Sequence, residues 1–189
     1  MSRNEQQRRD DVTEVELIGG PERLEVGLEA HDPAWAATFL EHRTRILEAL
    51  GDDGTGVLVE HIGSTAVPGL AAKPIVDIVV GVDDVTDEEA YLPALLAAGY
   101  VLRVREPGHR LVRTPARDVH VHVYPREHPA VADYLLLRDR LRSDPADRAL
   151  WEEKMRMQVT LSWDDMNAYS DAKTDVIEAI KERARAAHD

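Results

Sequence analysis

Ser64 and Asp77 are the residues of this 189-residue chain whose types and spacing best fit chemistry on a phosphate group. Ser64 follows Gly63, and a glycine lets backbone N–H groups approach an anion closely while the serine hydroxyl adds one more donor. Asp77 lies in the apolar run at residues 75–80, where an ionised carboxylate is costly to bury unless it is paired or metal-bound. We therefore predict that Gly63 and Ser64 seat a phosphate and that Asp77 holds the divalent metal accompanying it.

The loop between these residues matches neither of two common nucleotide-binding motifs. It lacks the Gly-x4-Gly-Lys-Ser pattern of a Walker A loop and the Gly-x-Gly-x-x-Gly pattern of a dinucleotide-binding turn. The same residues also fit a purely structural connection, in which a strand leads tightly into a helix that Ser64 caps. The residue types alone leave both interpretations open.

His120 and His122 form a second candidate, because residues two apart on a strand point to the same face of a sheet. In the run Val-His-Val-His-Val-Tyr at 119–124, the valines would line the core and both imidazoles would face the other way. Two such imidazoles can bind a metal or a phosphate, and they equally fit a solvated sheet face. They could share a metal with Asp77 if their strands are neighbours, which the sequence does not show.

Positive side chains cluster between residues 103 and 117, although the chain as a whole is strongly acidic. They predict a clamp for a polyanion, and they also fit an exposed sheet edge, where charge discourages pairing with another chain. The cluster consists of Arg103, Arg105, His109, Arg110, Arg113 and Arg117. Tyr169 and Lys173, one helical turn apart, could reach into a pocket between the sheet and the helices, together with Lys154 and Arg138 of the preceding helices, or all four could belong to solvated helix faces. The predicted phosphate or nucleotide ligands are Gly63, Ser64, Lys73, Arg110 and Lys173.

The elements that position these residues follow from periodicity and from start and stop signals. Asp32-Pro33 opens a helix that Gly51 ends, and a second helix opens near Thr86 and ends at Gly99, starting late because of Pro93. From residue 129 the pattern is helical, with restarts at 143–145 and 163–165. The predicted strands are 24–28, 57–62, 75–82, 100–105, 110–114 and 119–124, the last three forming an antiparallel meander.

These elements predict one mixed α/β domain of the α+β class at residues 23–189, after a disordered N-terminal lead at residues 1–22. Within the domain, residues 23–128 form a mixed or antiparallel sheet flanked by helices. Residues 129–189 form a helical part.

Composition narrows the classes of partner and compartment. The net charge of −13 argues against general nucleic-acid binding, which needs a surface of clustered lysine and arginine. The absence of cysteine excludes disulfides, thiolate metal sites and a cysteine nucleophile. No apolar run reaches membrane-spanning length and the N-terminus is polar, so we expect a cytoplasmic protein without membrane contact.

The segment at residues 60–80, from Glu-His-Ile-Gly-Ser to Pro-Ile-Val-Asp-Ile-Val-Val, resembles the signature of the GrpB family. Further matches follow in the expected order at 32–35, 120–123, 137–142 and 169–173. The family belongs to the DNA-polymerase-beta-like nucleotidyltransferase superfamily, which implies a nucleotidyltransferase-like core with a mixed sheet and C-terminal helices. In that superfamily a Gly-Ser pair positions a triphosphate and strand carboxylates hold Mg²⁺. The resemblance implies Gly63 and Ser64 as the phosphate loop and Ser64 and Asp77 as catalytic residues.

The chain departs from the superfamily pattern in its acids. Active members have two acids two residues apart, whereas the neighbours of Asp77 at that spacing are Ile75 and Val79. The predicted metal ligands are Asp77, His120, His122 and, turned inward, Glu60, with Mg²⁺ or Mn²⁺ bound, or Zn²⁺ through the histidines. Three functions stay open: nucleotidyl transfer with one metal, nucleotide binding without turnover, or binding of another phosphorylated small molecule. A non-catalytic module attached to a protein partner, such as an enzyme of CoA biosynthesis, is the main alternative to an enzyme.

Overall fold

A six-stranded mixed sheet forms the centre of the computed structural model, which describes residues 11–22, 27–52, 54, 56–159 and 173–187. The spatial order of the strands is β1-β4-β5-β6-β3-β2, and every neighbouring pair is antiparallel except the parallel pair β3 and β6. The strands are β1 Glu16–Leu17, β2 Leu58–Ile62, β3 Val76–Val82, β4 Val101–Glu106, β5 His109–Arg113 and β6 Val119–Pro125. The predicted α+β class with a mixed sheet is confirmed.

Five helices flank the sheet within the described residues. They are α1 Ala34–Leu50, α2 Leu92–Ala97, α3 Pro129–Ser143, α4 Pro145–Val159 and α5 Thr174–Ala186. The predicted signals for α1 are confirmed: the Asp32 carboxylate accepts a hydrogen bond from the Ala34 N–H at 2.9 Å, and Gly51 ends the helix at φ 68°. The late start of the second helix is also confirmed, because a 3₁₀ turn at Glu88–Ala90 precedes α2 and Pro93 lies in its first turn. The predicted restart at 163–165 lies outside the described residues.

The two faces of the sheet are covered by different helices. On one face, Ile78, Val80 and the predicted inward valines of β6 are fully buried against α1 and α2. On the opposite face, Ile62, Val79 and Tyr124 pack against Val131 of α3. This alternation follows from the two-residue period of a strand, and it sends the polar residues of β3 and β6 to the α3 face.

A third apolar cluster joins the helical part to the loop after β2. Val67 and Leu70 of this loop are fully buried against Leu141 of α3, Trp151 of α4 and Ile180 of α5. Helices α3, α4 and α5 therefore hold the loop that carries Gly63 and Ser64. Among the described helices, none is long and apolar enough to cross a membrane.

Residues 11–22 are ordered, which corrects the prediction that all of residues 1–22 form a disordered lead. β1 pairs with the edge strand β4, and the Arg103 Nη1 donates to the Ile18 carbonyl at 2.5 Å. The Asp11 carboxylate accepts from the Gly108 N–H at 2.6 Å and pairs with Arg110 at 2.8 Å. Sequence composition missed this order because it comes from long-range ion pairs with the meander. Residues 1–10 lie outside the described part of the chain, as does most of the predicted strand at 24–28.

Candidate functional site

The parallel pairing of β3 with β6 brings the predicted acid and the predicted histidines together. Asp77 is the register partner of His120, and Val79 is the partner of His122, so all three polar side chains share the α3 face. Asp77 Oδ1 lies 3.3 Å from His122 Nε2 and 3.8 Å from His120 Nδ1. The sequence left this adjacency open, and the strand order supplies it.

Gly63 places the loop backbone directly against the Asp77 carboxylate. Its φ of 72° and ψ of −173° lie in a region that only glycine adopts readily. A Cβ on Gly63 would stand 2.9 Å from Asp77 Oδ2, closer than side-chain carbons approach oxygen in folded proteins. The glycine is therefore required both by the backbone conformation and by the approach of the acid.

Ser64 begins a 3₁₀ turn at Ser64–Ala66, but its side chain does not cap that turn. The Ser64 Oγ instead accepts a hydrogen bond from the indole Nε1 of Trp151 at 2.9 Å, which ties the loop to α4. Because the indole can only donate, this bond leaves the serine hydroxyl hydrogen to donate to another acceptor. An anion held against the loop is such an acceptor.

Arginines of α3 contact the backbone of the loop and of the end of β2. The Arg142 Nε donates to the Ala66 carbonyl at 2.9 Å, and the Arg138 Nη1 donates to the His61 carbonyl at 3.0 Å. Sequence reasoning named neither Arg142 nor Trp151 as functional. Their residue types fit an ordinary amphipathic helix, and no local signal shows that they contact a loop about eighty residues away in sequence.

Lys173 places positive charge beside Asp77, and Lys73 lies close enough to act on Lys173. Burial lowers the pKa of Lys173 to about 8; Asp77 acts in the opposite direction, and the nearby charge of Lys73 lowers it further. Burial raises the pKa of Asp77, but the His122 hydrogen bond and the charges of His120 and Lys173 outweigh it, so the net shift is downward. At neutral pH the site therefore holds an ionised Asp77 and a positively charged Lys173.

A chain of hydrogen bonds runs from Asp77 away from the loop. His122 Nδ1 lies 3.2 Å from His109 Nε2, and His109 Nδ1 contacts the Glu106 carboxylate. An ionised carboxylate only accepts, so the imidazole next to each carboxylate must donate to it. Burial is the main reason that the pKa of His109 is lowered, and the Glu106 hydrogen bond acts in the opposite direction.

The structure does not bring Arg110 to this site. Arg110 points to the opposite face of the sheet, where its side chain is buried and bonds to Glu88 at 2.7 Å and Asp11 at 2.8 Å. Its predicted role as a phosphate ligand does not fit that placement. Arg113, three residues further along β5, points to the site face instead, as the register partner of His120. Tyr169 lies outside the described residues.

The predicted metal ligands do not form a prepared metal centre. Glu60 shares the face of Asp77, but its carboxylate bonds to Arg138 at 2.7 Å. Asp77 Oδ1 already contacts His122, and the charge of Lys173 acts on the same carboxylate. No group of three or more histidine, aspartate or glutamate side chains among the described residues is arranged to hold a metal ion. Mg²⁺ prefers several oxygen ligands, so the residues fit an anion better than a resident dication.

The buried ring of His120 predicts how the stability of the protein changes in acid. Burial is the main reason that its pKa falls to about 4, so it is neutral in the folded protein at neutral pH. The unfolded chain binds a proton on this ring near its ordinary value of 6.5, so the stability from His120 is present above that pH and is lost as the pH falls towards 4. We expect the His120 ring proton to titrate near pH 4 by NMR, with the signal assigned from its loss in His120→Gln. A midpoint near 6.5 would contradict the buried neutral ring.

The fold and this site define the class of the protein: a small α+β protein with a Gly-Ser loop and one carboxylate set among histidines and lysines. A family model described as GrpB protein matches residues 25–183, and the chain belongs to the GrpB family. The resemblance seen in the sequence is thereby confirmed.

Solved and curated proteins are similar to this chain at different levels. A UPF0157 protein of Streptomyces coelicolor is 67% identical over 99% of both chains. The crystal structure of the conserved protein GrpB from Enterococcus faecalis has a TM-score of 0.71 and 28% identity, covering 85% of this chain and 98% of that chain. The RNA terminal uridylyl transferase Cid1 has a TM-score of 0.43 and 16% identity, covering 67% of this chain and 44% of that chain. A score at that level transfers no property of Cid1 to this chain.

Proposed function

We propose that the cluster of Gly63, Ser64, Lys73, Asp77 and Lys173 binds the phosphate groups of a nucleotide or another phosphorylated small molecule. The observation that carries this proposal is that the charge of Lys173 acts on the Asp77 carboxylate, while the charge of Lys73 acts on Lys173 and His120 beside it, in a chain of net charge −13. Only four lysines occur in the chain, and two of them act on this cluster. Lysine is a compact point charge that suits phosphate, and the Ser64 hydroxyl supplies a directed donor.

The finer activity that we propose is nucleotidyl transfer. A hydroxyl oxygen of the acceptor attacks the α-phosphorus, the bond to pyrophosphate breaks, and the hydroxyl proton passes to a base. Asp77 is the base in this proposal, because it is ionised at neutral pH and lies against the Gly63 backbone. Lys73 and Lys173 neutralise the charge that leaves with pyrophosphate.

The test compares two of the four lysines by calorimetry with ATP and with inorganic pyrophosphate. We expect Lys173→Ala to weaken binding at least tenfold, or about 1.4 kcal/mol, because a desolvated charge next to the phosphate is removed. Lys154→Ala is the matched control, since Lys154 lies on α4 in an open groove against α5, and its affinity should stay within about twofold of the wild type. Equal losses in both variants, or no binding by the wild type, would reject the phosphate site.

The same titration has a pH dependence with a defined sign. Lys173 loses its proton as the pH rises through about 8, so affinity should fall between neutral pH and pH 9 in the wild type. Lys173→Ala should lack this fall. Titrations without metal and with Mg²⁺, Mn²⁺ or Zn²⁺ test the metal prediction. If ATP and pyrophosphate bind only when a metal is present, the conclusion that the site residues fit an anion better than a resident dication is wrong.

A second candidate is a binding module without turnover. The observation in its favour is that Glu60, the one other carboxylate on β2 and β3, is bonded to Arg138 and so does not join Asp77 as a second acid. An assay for pyrophosphate release, with ATP and a hydroxyl acceptor, separates the two candidates. Binding that depends on Lys173 without release of pyrophosphate supports the module.

A further inference from the structure

A second group of positive side chains lies beside the Asp77 cluster, and its member Arg113 shares the sheet face of Asp77. Asp77, His120 and Arg113 are register partners across β3, β6 and β5, so they form one row across the sheet. Two strand spacings separate the backbones of Asp77 and Arg113, which is about 10 Å. We call Arg103, Arg113 and Arg117 the arginine cluster.

The arginine cluster converges on a single carboxylate, that of Glu22. Arg113 donates two hydrogen bonds to this carboxylate, from Nη1 at 2.8 Å and from Nη2 at 2.6 Å. Arg117 Nη2 lies 3.3 Å and Arg103 Nη2 lies 3.8 Å from the same carboxylate. Because of the Arg113 bonds, the pKa of Glu22 falls to about 2, so the group is an anion at every physiological pH.

The arrangement has the features of a bound anion more than those of a surface ion pair. The side chains of Arg103 and Arg113 are only 10% and 12% exposed, whereas Glu22 is 26% exposed and belongs to neither a strand nor a helix. The Arg113 Nε is buried and has no hydrogen-bond partner among the described residues. The site therefore has one more donor than Glu22 uses.

Arg117 adds an independent sign of a built site. Among the described residues it is the one non-glycine with positive φ, at 67°. Such a conformation is strained for a side chain of this kind and persists where surrounding contacts hold it. Here it turns the guanidinium of Arg117 toward the carboxylate held by Arg113.

We propose that the arginine cluster is a second anion subsite and that the Glu22 carboxylate stands in it where the ligand's outer phosphate binds. This inference rests on the proposed phosphate site at Asp77 and specifies its ligand as an extended oligophosphate that spans both positions. One end lies at the Gly63–Ser64 loop, and the other displaces Glu22 from Arg113.

The experiment titrates the full chain, without metal, with inorganic tripolyphosphate and separately with orthophosphate. In Glu22→Gln the competing charge is gone while the side chain keeps its size, so tripolyphosphate should bind about tenfold more tightly. Orthophosphate, which fills only the Asp77 cluster, should change by less than about twofold because the charges are partly screened. Glu16→Gln is the matched control, because Glu16 lies on the same segment and pairs with Arg105 rather than with the arginine cluster. It should leave both affinities unchanged.

Arg113 variants complete the test. Arg113→Gln should lose the advantage of tripolyphosphate over orthophosphate, and Arg113→Lys should keep only part of it, because lysine lacks the two-pronged donor. Thermal unfolding of each variant shows that it is folded. The second subsite is contradicted if Glu22→Gln binds tripolyphosphate no more tightly than the wild type does. If orthophosphate binding still depends on Lys173 in that case, the proposed function stands. Failure of both probes in every variant overturns both.

Discussion

Replacing Gly63 with alanine is expected to destabilise the protein by about 3 kcal/mol, the largest single-residue effect that we predict. Two causes add together. The backbone at Gly63 has φ 72° and ψ −173°, which costs any other residue strain, and the new Cβ would stand 2.9 Å from Asp77 Oδ2. The free energy of unfolding in urea measures the effect, and phosphate binding by the surviving folded fraction should be lost as well.

Gly69→Ala is the matched control for this substitution. Gly69 has a similar φ of 80°, but a Cβ there meets nothing within 4 Å. Its cost should be that of the left-handed backbone alone, about 1 kcal/mol. Adding Asp77→Ala to Gly63→Ala removes the atom that the Cβ meets, so the pair should be less unstable than the sum of the single variants. If Gly63→Ala and Gly69→Ala lower the free energy of unfolding equally, the contact of the new Cβ with Asp77 does not add to the cost at Gly63.

Asp147→Asn is expected to cost about 2 kcal/mol at neutral pH, because it removes a buried charge that two arginines share. The Asp147 carboxylate accepts from Arg140 Nε of α3 at 2.6 Å and from Arg183 Nε of α5 at 2.8 Å, so it ties three helices together. The arginines partly reach solvent, which keeps the expected cost below that of a fully buried pair. Urea unfolding measures it, with Glu152→Gln in an exposed pair with Arg156 as the control.

The effect of Asp147 has a definite pH dependence. Burial raises the pKa of Asp147, but hydrogen bonds from Arg183 and Arg140 outweigh this, so the folded pKa is lower than the unfolded value. A lowered carboxyl pKa gives stability that is present above the unfolded value near 3.8 and is lost as the pH falls through the folded value. The difference between wild type and Asp147→Asn should therefore be full at neutral pH and shrink in acid. A constant difference down to low pH would contradict an ionic role.

Local sequence signals predicted the elements well where the signal is short-ranged. The cap at Asp32, the stop at Gly51 and the alternation of valine with histidine on β6 each depend on neighbours within a few residues. The two-residue period also placed His120 and His122 on one face. It did not show that β6 lies beside β3, because pairing partners are chosen by the whole topology.

The alternation of side chains along a strand explains why the predicted phosphate ligand Arg110 lies away from the candidate site. Arg110 and Arg113 are three residues apart on β5, so they must point to opposite faces, and only Arg113 shares the face of His120. The sequence contained this information once β5 was recognised as a strand. The contacts of Trp151 with Ser64 and of Glu22 with Arg113 had no such signal, since each joins residues about ninety positions apart.

The parallel neighbours β3 and β6 also determine when the site comes into being as the chain folds. Asp77 and His122 are 45 residues apart in sequence, and α2, β4 and β5 all lie between them. Parallel strands cannot meet through a tight turn, so the intervening crossover must be organised before the acid meets its imidazole. Contacts of such long sequence separation form slowly, because the entropy of closing the loop is lost before the pairing is gained. The Gly-Ser motif therefore comes close to Asp77 and the histidines only after β3 and β6 have paired. A nascent or truncated chain that ends before β6 contains the motif but cannot form the site.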